Sequence, residues 1–144
     1  MKKLILGFLI SFSLVSQAQF RDLQTVREFQ DLIATAAVPV VVQFHASWCG
    51  PCHSLSAVFG RVSQQYSDNQ VIIAKIDADI HSQVSHYLLG GYPTVRTFEN
   101  GMLLNPSFTG SQSDSYVISF IDSLLQTGSF PRFLSSERGD ICQP

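Results

Sequence analysis

Apolar residues recur along the chain in alternating helical and strand-like periods, and their order predicts the architecture. Thr25 and Glu28 have the spacing of a capping box, and Val26, Phe29 and Ile33 then share one helical face. Residues 38–44 form a nearly continuous β-branched run, as expected of a strand covered on both faces. Leu55, Phe59, Val62 and Tyr66 mark a long helix starting near Cys49, and residues 71–77 form a second buried strand. Ile80, Val84, Tyr87 and Leu88 predict a shorter helix ended by Gly90 and Gly91. Residues 94–98 and 102–108 flank Asn100-Gly101, the signature of a tight hairpin. A last helix starts near Ser111 and Asp114, with Val117, Phe120, Ile121, Leu124 and Leu125 as its apolar stripe.

The resulting order is helix, strand, helix, strand, helix, hairpin, helix. It implies an α/β domain with a central mixed β-sheet flanked by helices on both faces, a βαβ unit first and an antiparallel pair after it. Residues 128–144 read as a C-terminal tail of Gly, Ser, Pro and mixed charge, with Phe130, Phe133 and Leu134 as its anchors. No internal repeat and no second domain is visible.

Composition changes this picture mainly at the N-terminus. The chain has 144 residues, 45% hydrophobic and 14% charged, with a net charge of -2 and three cysteines. That suits one cored domain and argues against a nucleic-acid binder, which needs a surplus of Lys and Arg, and against a disulfide scaffold. The apolar fraction is inflated by residues 4–15, which follow Lys2 and Lys3 and precede Ser16-Gln17-Ala18. This is the pattern of a secretory signal peptide over residues 1–18, too short to cross a bilayer core that takes about 20 residues. Cleavage after Ala18 leaves seven basic residues against eleven acidic ones, a net charge of -4. The expected mature protein is exported, most plainly to a periplasm, with no stable membrane insertion, a domain over residues 19–127, and cysteines in an oxidising compartment.

The chemistry sits in Trp48-Cys49-Gly50-Pro51-Cys52, where a buried strand gives way to a helix. The first turn of a helix carries unpaired N–H groups and partial positive charge, so a thiol there is stabilised as thiolate. Cys49 is the nucleophile, Gly50 keeps its approach open, Pro51 suits the first helical turn, and Trp48 supplies a flat apolar wall. Cys52, one turn on, reads as the resolving thiol. Three other readings compete. Half of a zinc site lacks its second Cys/His pair. With His53 the run also fits C-x-x-C-H, the covalent haem motif, for which Met102 or another histidine would supply an axial ligand. A purely structural disulfide leaves the accompanying Trp, Gly and Pro unexplained.

From about Phe20 to Gln126 the chain resembles the thioredoxin family. The resemblance is carried by residues 48–52, by Gly91-Tyr92-Pro93-Thr94, by Asn100-Gly101, by Gly110 and by Lys75 within Ala74-Lys75-Ile76-Asp77. It implies a thioredoxin fold, thiol–disulfide exchange with protein substrates and a redox partner protein, a redox-active Cys49–Cys52 disulfide with no metal or other cofactor, and a cis peptide before Pro93. Such a bond would turn the Tyr92 backbone toward Cys49, so that an extended substrate segment pairs with it as an added strand. The alternative on the same fold is a peptide-binding or assembly module with little turnover.

Three features depart from the family or fall outside it. Gln43 stands where the resemblance implies a buried aspartate, and an amide cannot ionise. Resolution by Cys52 is then expected to be slow unless water or His45 acts as base, and Cys49, with Lys75 kept and a negative charge lost, is expected to have a lowered pKa and a more oxidising disulfide. His45 and His53 are candidate positive charges beside the thiolate at mildly acid pH. Cys142 has no intrachain partner if Cys49 and Cys52 pair, so it is expected either to be a free thiol or to link two chains as a disulfide-bonded dimer.

Overall fold

A computed structural model describes residues 17–127 and 139–143. Its elements run β1 (Phe20–Leu23), α1 (Val26–Thr35), β2 (Val40–His45), α2 (Gly50–Val62), β3 (Ile72–Asp77), β4 (Thr94–Glu99), β5 (Met102–Thr109) and α3 (Asp114–Thr127). The expected signal peptide, cut site apart, and the anchors Phe130, Phe133 and Leu134 lie outside the described residues.

The five strands form one mixed sheet in the order β1-β3-β2-β4-β5. β1 and β2 both run parallel to β3, while β4 pairs antiparallel with β2 and β5 with β4. Strand alternation splits the core into two layers. Val41 and Ile73 face α2 and α3, packing on Leu55, Phe59, Val117, Phe120 and Ile121. Val40, Val42, Phe44, Ile72 and Ile76 face α1, where Phe29 meets Phe44 and Phe98 edge-on. The α/β fold with helices on both faces is therefore as expected.

Local signals explain most boundaries. Thr25 Oγ1 accepts the Glu28 N–H at 3.1 Å, and Glu28 reaches back to accept from the Gln24 N–H at 2.7 Å, fixing the start of α1. Asn100 and Gly101 both have positive φ, 52° and 76°, the mirror-image turn that matches strand twist. β5 is an edge strand whose pairing with β4 shifts register between Arg96 and Phe98, a bulge opposite the stretch that contains Pro106.

Two expectations need correcting. β1 was not legible, because four residues containing Arg21 and Asp22 have no apolar alternation of their own; parallel pairing to β3 and the ion pairs Arg21–Asp68 and Asp22–Lys75 hold it. The third predicted helix is only a 3-10 segment, Ser82–Tyr87. The Asp77 carboxylate accepts the N–H groups of Asp79 and Ile80, which fixes a turn there, and Ile80 stays 70% exposed instead of opening a buried face.

Candidate functional site

Cys49 is the N-cap of α2, with extended backbone (φ -90°, ψ 112°), and its carbonyl accepts the N–H groups of Cys52 and His53. Pro51 lies in the first turn and no acidic residue is there, so the helix end bears on Cys49 undiminished. Its sulfur is wholly buried and lies 3.6 Å from the Tyr92 carbonyl. The Tyr92–Pro93 peptide is cis. Trp48 is 53% exposed, stands edge-on to Tyr92 and donates its indole N–H to Asp79 at 3.0 Å. The expected wall of the site is thus fixed by an aspartate that sequence reasoning passed over.

Cys52 is buried in the layer below, and burial pushes its thiol up to about 11. Gln43 is fully buried at the same place: its amide N–H donates to the Cys52 carbonyl at 3.0 Å, and its amide oxygen accepts the Ser56 hydroxyl at 3.0 Å. The glutamine therefore clamps the first turn of α2, and neither it nor Ser56 offers a base.

Lys75 pairs in register with Gln43, but its ammonium is taken by Asp22 at 3.2 Å and lies over the Phe20 ring, so its charge is already neutralised by β1. His45 is pushed down by burial ahead of the opposing pull of Asp77, and so is neutral near neutral pH; it supplies no standing positive charge. It lines a cavity of about 300 Å3 with Asp22, Asp77 and His81. The His53 ring is exposed and meets the Ser47 carbonyl at 2.8 Å. Among the described residues, no group of three or more His, Cys, Asp or Glu side chains is placed to hold a metal ion.

The largest departure concerns sulfur. Cys49 is disulfide-bonded to Cys142, with Cα atoms 5.9 Å apart, and Cys52 is the free thiol. The expected Cys49–Cys52 bond is not the one present, and Cys142 is bonded within the chain rather than unpartnered. The physical reason is backbone pairing: Tyr92 and Cys142 form an antiparallel bridge, exchanging N–H···O bonds of 2.8 and 2.6 Å. The only sequence signal for this was the odd cysteine count.

The thioredoxin family profile matches residues 22–123. Over 107 residues the chain is 34% identical to a probable thioredoxin of Caenorhabditis elegans, covering 72% of this chain and 71% of that protein. It is 37% identical over 98 residues to a protein disulfide-isomerase of Schizosaccharomyces pombe, covering 65% of this chain but only 27% of the larger relative. Among solved structures, a mutant thioredoxin from Halobacterium salinarum superposes with a TM-score of 0.65 at 28% identity, covering 77% of this chain and 95% of that one.

Proposed function

The chain belongs to the thioredoxin family of thiol–disulfide oxidoreductases, and from that premise we propose that it is an exported enzyme exchanging disulfides with protein substrates through Cys49 and Cys52. The observation that carries the reading is a buried cysteine sulfur at a helix N-terminus, set against the Tyr92 backbone beside a cis proline. Helix-end N–H groups favour the Cys49 thiolate, and the Tyr92 N–H and C=O are the pair an extended substrate would use.

In the reducing direction the Cys49 thiolate attacks one sulfur of a substrate disulfide and expels the other as a thiolate, which takes up a proton. Cys52 then gives its proton to solvent and attacks Cys49, which closes Cys49–Cys52 and releases the second substrate thiol. The substrate gains two electrons and the cysteine pair loses them; a dithiol redox partner restores the pair, and an oxidant drives the same steps in reverse. Export to the periplasm rests on Lys2, Lys3, the apolar run over residues 4–15 and the small residues before Gln19.

Insulin reduction by dithiothreitol, run beside a Cys49→Ser variant, tests the activity. Turnover by the parent and only the uncatalysed rate with the variant are expected. Peptide binding by both proteins with no turnover by either would instead leave a binding module.

A further inference from the structure

Residues 139–143 lie where an extended substrate is expected, and their seat is built from two sides. Beyond the bridge between Tyr92 and Cys142, the Ser111 N–H donates to the Asp140 carbonyl at 3.2 Å and the Gly139 N–H to the Thr109 carbonyl at 3.4 Å. The Gln143 side-chain amide donates to the Gly90 carbonyl at 3.0 Å. The floor is glycine where the segment passes. A Cβ on Gly91 would sit 2.5 Å from the Cys142 carbonyl oxygen, and one on Gly110 would overlap the Gly139 backbone. A bare sulfur–sulfur bond would need none of these contacts.

We propose that residues 139–143 are a built-in substrate: the oxidised chain closes its own site through Cys49–Cys142, on the strand position a protein substrate takes, and Cys52 reopens it. The inference rests on the oxidoreductase reading above. Reopening needs no external reagent. Cys52 loses its proton to solvent and its thiolate attacks Cys49 Sγ; the Cys49–Cys52 bond forms, the Cys49–Cys142 bond breaks, and Cys142 leaves as a thiolate that takes up a proton. One disulfide and one thiol stand on each side, so nothing is oxidised or reduced overall.

The closed form has no open strand position beside Tyr92, so it is silent toward substrates until Cys52 converts it to the Cys49–Cys52 disulfide. Its lifetime is set by Cys52. A thiol held near 11 is almost wholly protonated at neutral pH, so the attacking thiolate, and with it the opening rate, rises as pH rises toward that value. The expected gain is about tenfold per pH unit between about pH 7 and 9.

The test is disulfide mapping of the oxidised full chain. Samples are acid-quenched at intervals, free thiols are alkylated and linked peptides are identified by mass spectrometry, with first-turnover oxidation of a dithiol peptide, which gives its two electrons to the Cys49–Cys52 disulfide, measured beside Cys142→Ser. A Cys49–Cys142 peptide with alkylated Cys52, passing to Cys49–Cys52 faster at higher pH, is expected, as is a first turnover about tenfold faster in Cys142→Ser, in proportion to the closed fraction removed. Cys49–Cys52 with alkylated Cys142 from the first sample, a Cys142-linked dimer, or an unchanged first turnover in Cys142→Ser would overturn the proposal while leaving the oxidoreductase intact. A folded Cys142→Ser protein with no turnover at all would instead remove the oxidoreductase reading, and the proposal with it.

Discussion

Two regions deliver a sulfur to Cys49, the first turn of α2 and residues 139–143, and they do so by opposite means. Cys52 is placed by local structure: its N–H bonds to the Cys49 carbonyl, its own carbonyl is held by Gln43, and its thiol is sealed under the sheet. Cys142 is placed by docking: backbone pairing with Tyr92, 50 residues away in sequence, holds a half-buried strand whose sulfur is already bonded. A helix turn presents its thiol permanently but in a medium that disfavours the thiolate. A docked strand presents its sulfur from a half-buried position through backbone pairing instead. Proximity and reactivity are thus divided between two partners of one nucleophile.

The comparison breaks most sharply on the strand side. Gly91→Ala places a methyl group 2.5 Å from the Cys142 carbonyl oxygen while leaving all three cysteines in place. Gly91 has ordinary backbone torsions, so the effect is steric rather than conformational. The closed Cys49–Cys142 fraction is expected to fall about tenfold in the same peptide map. An unchanged map would mean that the sulfur bond, not the strand pairing, holds the segment.

Gln43→Asp sharpens the helix side. A carboxylate beside the Cys52 turn can accept the thiol proton, so exchange by Cys52 at about pH 7 is expected to accelerate severalfold. The added negative charge is expected to raise the Cys49 pKa in the open, reduced form by roughly 1 to 3 units, and with it to make the disulfide less oxidising. Thiolate absorbance against pH and the reduction potential check this; if neither moves, Gln43 is a clamp and nothing more.

The smallest effect is expected from Ser56→Ala, which removes one hydrogen bond to the Gln43 amide oxygen. About 1 kcal/mol of stability should be lost in urea unfolding, with the disulfide map unchanged. A changed map would tie the clamp to the strand and merge the two regions.

Legibility followed the range of the interaction. The start of α1, the hairpin at Asn100-Gly101 and the Trp48–Cys52 run were readable because cap, turn and helix start are written in neighbouring residues. β1 was missed because its register with β3 depends on residues some 50 positions away. The helix expected near Ile80 is instead a 3-10 segment over Ser82–Tyr87, with Val84 as its buried residue, because Ile80 stays exposed in the turn that Asp77 closes. Asp22 and Asp79 were not singled out, since nothing local shows that one neutralises Lys75 and the other holds Trp48.

By itself the sequence determined an α/β domain whose reactive centre is a cysteine at a helix start, because period, capping and the placement of Pro51 and Cys52 are local chemistry. Which sulfur Cys49 actually holds was decided only by tertiary structure. Backbone N–H and C=O groups are the same in every residue, so the pairing of Tyr92 with Cys142 leaves no side-chain trace; it exists because the chain brings one free strand position and one spare cysteine together.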